Sequence, residues 1–178
     1  MAALHGPELV IKRRFDRQHC THLVNGQPFV IHCHHYLVLL AQLADDVSML
    51  DGGTLMAECA EDVFFRVFND YFHEHVTETI IDRFSLIEEA HRSMGLGKLH
   101  VVCAGPESGE VELTSSHVDQ GWVAKWGERD EPVNFLTRGF IAAMFCAVFN
   151  RSTRSYRVTE IESIVAGAPQ SRFEAVAV

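Results

Sequence analysis

The sequence predicts an α+β domain in which a mainly antiparallel sheet packs against a helical layer. Three observations carry this. Apolar residues alternate with period two in the second half of the chain, and short β-prone runs near the start read as extended. Between those stretches apolar residues recur with the helical period. No repeat or long linker interrupts the 178 residues, so residues 1–178 read as a single domain with a substantial core.

The elements follow in order. "ELVIKRRF" (8–15) and "HLVNGQPFVIH" (22–32) read as extended, and Asn25-Gly26 supplies a tight turn between two β-prone arms. From His34 to about Val47 the pattern turns helical, with Leu37, Leu40, Ala41 and Ala44 as its apolar stripe. Asp51-Gly52-Gly53 breaks that helix. A second helix over 54–75 sets Leu55, Cys59, Val63, Val67 and Tyr71 at helical spacing, and Phe64, Phe65, Phe68 and Phe72 widen its apolar face. A third starts at Thr79, carries Ile80, Phe84, Ile87 and Met94, and stops at Gly95-Leu96-Gly97.

The period then changes to two. "KLHVVCAG" (98–105) and "EVELTSS" (110–116) make a hairpin. The stretch 115–132 reads as a polar connection holding both tryptophans, although Ser116 and Asp119 have the spacing of a helix start. "VNFLTRGFIAAMFCAVF" (133–149) is apolar nearly all round and reads as a buried helix. Its Gly139, Ala142, Ala143 and Ala147 permit close approach of another helix, within the domain or across a dimer. A final pair, 155–167 and 171–178, turns at Gly167-Ala168-Pro169.

Composition limits the function. A formal net charge of −9 argues against a nucleic-acid surface, and the short basic clusters "IKRR" and "RSTRSYR" read as solvated strand edges. The five cysteines, widely and irregularly spaced, do not form a disulfide framework. The opening residues lack the charged and apolar regions of a signal peptide, and the longest apolar run, 140–149, is too short to span a membrane. The expectation is a soluble, cytoplasmic protein with reduced thiols.

The chemistry concentrates in "FVIHCHHY" (29–36). On a strand, His32 and His34 share a face; if a helix begins at Cys33, His32 and His35 come together instead. Either pair offers two imidazoles to one ion, and imidazole suits iron or zinc. His117 and Asp119 are the candidates for further ligands of such a metal, giving a set of His32, His34, His35, His117 and Asp119. The plainer reading is a hydrogen-bonded pocket or core histidine. Cys33 beside three histidines is either a thiol of lowered pKa or a buried strand cysteine. His73 and His75 read as exposed, and His19 and His22 as pointing to opposite faces. Phe64, Phe68, Phe72, Trp122 and Trp126 are candidates to line an apolar ligand pocket, with plain core packing as the alternative. Tyr36 joins them as a polar contact.

In order, "GLGKLHVV" (95–102), a strand ending in "TSS", "PVNFLTRGFIAAMF" (132–145) and "VTEIESIVAGAPQSRFEAV" (158–176) resemble the 4-vinyl-reductase domain family over roughly residues 86 to 177. The resemblance implies a small-molecule-binding domain, like the phenol- and toluene-sensing input domains of bacterial transcription activators. It implies a fold similar to Golgi transport-particle subunits and haem nitric-oxide sensors, and a homodimer. Aromatic-sensing members hold a structural zinc through an acid-x-x-Cys…Cys pattern and an earlier cysteine. Here Glu160 fits the acid position, but Ser163, Ser171 and Asn134 stand where cysteines are expected. Hydroxyls are poor zinc ligands, so the family's structural zinc is expected to be missing, with these three residues hydrogen-bonding one another.

Three functions remain open at this point. The first is a binding protein for a small apolar or aromatic molecule, with neither nucleic acid nor membrane as partner. The second is an iron- or zinc-dependent enzyme, with Asp119 as ligand or base and Tyr36 as proton donor. The third is a scaffold subunit without catalysis.

Overall fold

The computed structural model describes residues 8–30, 32–47, 49–77 and 79–178. The chain opens with an antiparallel meander of β1 (Arg13–Asp16), β2 (Thr21–Val24) and β3 (Gln27–Phe29). Asn25 and Gly26 both have positive φ, 48° and 81°, the backbone that a two-residue hairpin turn demands. The Asn25 side chain also accepts from the Lys12 N–H at 2.8 Å and donates to the Val10 carbonyl at 3.0 Å. It therefore holds residues 10–12 beside the turn, and only Arg13 onward is strand.

Helix α1 (His34–Asp45) starts after Cys33 and buries Leu37, Val38 and Ala41, while Leu40 faces outward. Helix α2 (Gly52–Glu74) takes in the two glycines expected to lie in a break. Asp51 caps it, accepting from the Thr54 N–H at 2.9 Å. The face of α2 that packs inward carries Ala60, Glu61 and Phe68. The expected stripe is the other face: Leu55, Val63 and Val67 are 53%, 57% and 42% exposed. Helix α3 (Ile80–Ser93) begins as expected at Thr79, whose hydroxyl accepts from the Asp82 N–H at 3.0 Å.

A second, four-stranded antiparallel sheet is built from β4 (Gly97–Ala104), β5 (Ser108–Ser116), β6 (Tyr156–Glu162) and β7 (Ser171–Ala177), in the order β4-β5-β7-β6. The connection expected to be polar and irregular is a helix, α4 (His117–Trp126), with the Asp119 N–H donating to Ser116 Oγ at 3.0 Å. Only a narrow face of α4 is buried, including Val118, Gly121 and Trp122, which is why its period is faint in the sequence. The last hairpin is shorter than expected, because a 3₁₀ turn at Ile164–Ala166 follows β6 directly.

Helix α5 (Phe135–Val148) is the centre of the molecule. It packs between the larger sheet, through Leu99, Val111, Leu113 and Phe173, and helix α2. A methyl group on Gly139 would lie 2.0 Å from the Ala57 carbonyl oxygen, so the small residues of α5 serve the approach of α2. Among the described residues, no helix is long and apolar enough to cross a membrane.

Candidate functional site

Between the meander and helices α2 and α3 lie two adjoining cavities, of about 680 Å³ and about 380 Å³. They share Ile11, Val24, Phe29, Phe64, Ser93 and Met94 as lining, so they form one trough. Val63, Val67 and Tyr71 wall the smaller cavity, with Phe68 and Phe72. From Val63 onward the outward apolar face of α2 is thus a cavity wall, whereas Leu55 lines neither cavity. The Tyr71 hydroxyl accepts from the Val10 N–H at 3.1 Å, tying α2 to the segment that leads into β1 across the trough.

The larger cavity has a polar end. His32 and His117 line it, with Arg13, Arg14 and His22 of the meander. His117 is the first residue of α4, and its N–H donates to the Leu96 carbonyl at 2.9 Å, which fixes it beside the α3–β4 corner. His34 is the first residue of α1, and α1 reaches α4 because position 121 has no side chain. A methyl group there would stand 2.8 Å from His34 Cβ. The His117 ring consequently lies 5.9 Å from that of His32 and 5.8 Å from that of His34. His32 Nδ1 donates to the Cys33 carbonyl at 3.2 Å. His117 Nε2 is buried without a hydrogen-bond partner. Burial lowers the His117 pKa, and the neighbouring His32 and His34 lower it further.

The other expected site residues are distributed differently. The His35 ring packs on that of His34 at 4.2 Å, with its residue exposed. Tyr36 is exposed and lies 5.6 Å from the His32 ring, lining neither cavity. Trp122 belongs to a second apolar core with Leu37, Val38 and Val165, and Trp126 packs on it at 4.7 Å; neither lines the trough. Asp119 points away from the histidines. Two residues along a helix are about 200° apart, so a carboxylate at 119 cannot share a face with an imidazole at 117. Among the described residues, no group of three or more histidine, cysteine, aspartate or glutamate side chains is close enough together to hold a metal ion.

Asp119 instead anchors a buried polar network. Asn134 Nδ2 lies 2.9 Å from both Asp119 carboxylate oxygens and 2.9 Å from Glu160 Oε1. Ser171 Oγ donates to Asp119 Oδ2 at 3.2 Å, and Ser116 Oγ donates to Asn134 Oδ1 at 3.3 Å. Burial raises the pKa of both carboxyls, against the pull of the Asn134 amide. Asn134, Ser163, Ser171 and Glu160 are thus brought together, but the bonds of Asn134 and Ser171 run to carboxylates rather than to one another. Ser163 Oγ and Glu160 Oε2 make no well-aligned hydrogen bond, yet the Ser163 hydroxyl stands near enough to Glu160 to pull its pKa down against the effect of burial. The amide nitrogen must face the carboxylates, since its oxygen would meet only acceptors there. A donor occupies the middle of the cluster.

Sequence reasoning missed the meander's part in the site. Ile11, Val24 and Phe29 supply the outer wall, and Arg13 and Arg14, read as a solvated edge, line the larger cavity. The available signal was a run of apolar side chains on strands too short to bury them against each other.

No family model and no curated protein matches the sequence. Solved structures match its fold. The phenol-responsive sensory domain of the transcription activator PoxR, in complex with phenol, superposes with a TM-score of 0.75 at 15% identity, covering 93% of this chain and 84% of that one. A vinyl-4-reductase family protein from Methanocaldococcus jannaschii gives 0.51 at 15% identity, over 80% of this chain and 76% of that one. A trafficking protein particle complex subunit 3 from Naegleria fowleri, covalently bound to palmitic acid, gives 0.52 at 12% identity, over 82% and 95%. The chain has the α+β fold of a vinyl-4-reductase structure, shared with a sensory domain and a trafficking subunit.

Proposed function

We propose that the chain is a binding domain for a small, largely apolar molecule, held in the trough with its polar end toward His32 and His117. The trough itself carries the reading. It is a concave site lined mainly by apolar and aromatic groups, with a few polar side chains converging at one end, the usual make-up of a small-molecule site. Two structures of the same fold support it, one holding phenol and one carrying palmitic acid. Calorimetric titration with 1-decanol should show saturable binding at one molecule per chain. Val67→Asp puts a charge on the exposed trough wall of α2 and should weaken that binding at least tenfold. If the folded protein binds neither 1-decanol nor phenol, the reading fails.

A second reading has one observation in its favour, the buried, unpartnered His117 Nε2 with two further imidazole rings within 6 Å. Iron or zinc there would take His32, His34 and His117 as ligands, without Asp119, and would make the domain a metal-dependent enzyme. The rings would have to draw together to hold it. Elemental analysis decides: metal retained in His73→Ala and lost in His117→Ala supports the enzyme, and metal-free protein rules it out.

A further inference from the structure

We infer that the ligand bears a single carboxylate, seated at the arginine–histidine end of the trough, with its apolar part running toward α2. This rests on the reading of the trough as a binding site. The two ends of the trough differ in charge. The larger cavity is lined by Arg13, Arg14, His22, His32 and His117 and, among the described residues, by no aspartate or glutamate. That is unexpected in a chain with 24 acidic against 15 basic residues. The smaller cavity has the opposite sign, with Asp70 and Glu74 and no lysine, arginine or histidine among its described lining.

The cationic groups are also unspent. Several arginines make no ion pair among the described residues, and of these Arg13 and Arg14 are the ones that line the trough, with Arg13 on the same strand face as the lining Val24 and His22. A guanidinium offers a planar fork of donors that matches a carboxylate, and charge-assisted bonds of this kind are the stronger ones. His117 Nε2 supplies a further donor, buried and without a partner. An acceptor placed there removes the cost of an unsatisfied polar atom. A monoanion suits an apolar trough better than a phosphate dianion, because desolvating a second charge costs more than the exposed arginines return. The acidic far end repels the same head group, so the ligand has one orientation.

The test compares decanoate, 1-decanol and decyltrimethylammonium, each below its micellar concentration, by calorimetry on the full chain at fixed ionic strength. Decanoate is expected to bind at least tenfold tighter than 1-decanol, and the cation weakest. In the Arg13→Gln/Arg14→Gln double variant the decanoate-to-decanol affinity ratio should collapse toward one. Equal affinities in the unaltered protein would overturn the carboxylate and leave the trough standing. An unchanged ratio in the double variant would overturn the role of the arginines. Failure of all three probes to bind would remove the inference, and failure of phenol as well would remove the binding function beneath it.

Discussion

Lowering the pH from 7 to 5 should cost the protein about 2 kcal/mol of stability through His91 alone. His91 lies on α3 and is fully buried, its ring edge-on to Phe140 at 4.9 Å. Nδ1 donates to the Gly97 carbonyl at 3.1 Å, and Nε2 is buried without a partner. Burial takes its pKa from 6.5 to about 4, with the Gly97 bond pulling the other way. Below pH 6.5 the unfolded chain takes up a proton at this ring that the folded chain refuses. The stability carried by the neutral ring is therefore complete above 6.5 and is lost as the pH falls through 4, reaching about 3 kcal/mol at pH 4. Asp119 and Glu160 act with the opposite sign, because their raised folded pKa values let the folded protein take up protons first. A His91→Gln variant keeps both carboxyls, so their contribution cancels in the difference between the two proteins. Urea unfolding followed by tryptophan fluorescence at pH 7, 6 and 5 measures that difference. The variant should gain on the unaltered protein as the pH falls, and parallel profiles would refute the buried neutral histidine.

Gly139→Ala should destabilise by about 2–3 kcal/mol, because the new methyl group meets the Ala57 carbonyl oxygen and forces α2 from α5; a lowered urea midpoint at unchanged slope is the expected result. Asn134→Ala should cost about 3 kcal/mol at neutral pH by leaving Asp119 and Glu160 buried without their shared donor. That deficit should shrink as acid protonates the carboxyls, and a deficit independent of pH would contradict the network.

Most elements were legible because the hydrophobic period changes sharply between them, and because Thr79 and Asn25-Gly26 are chemically suited to the cap and turn they form. Helix α4 was not, since its buried face mixes Val118, Gly121 and Trp122 with the carboxylate of Asp119 and so shows little apolar period. Helix α2 carries apolar residues on two faces, one for α5 and one for the trough, and sequence alone does not say which is the core. The density of histidines at 32–35 and at 117 pointed to one place, and Gly121 is the reason that they meet there. Asp119 misled through its nearness in sequence to His117. Arg13 and Arg14 were passed over because strands exposed at an edge commonly carry such residues; only the cavity beneath them changes their meaning.

The meander is joined to the rest of the molecule by the chain itself and by the Tyr71 hydroxyl, while among the described residues no backbone hydrogen bond links it to the helices or the larger sheet. It is a small sheet laid over a hollow. Its opening should require less free energy than that of the α5-centred core, and its amides should exchange with solvent first. A molecule filling the hollow would supply the interior that this sheet lacks, so occupancy and the closure of the outer wall become one equilibrium. The proposed binding site and the part of the fold expected to be least protected are then the same region, read once by affinity and once by amide exchange.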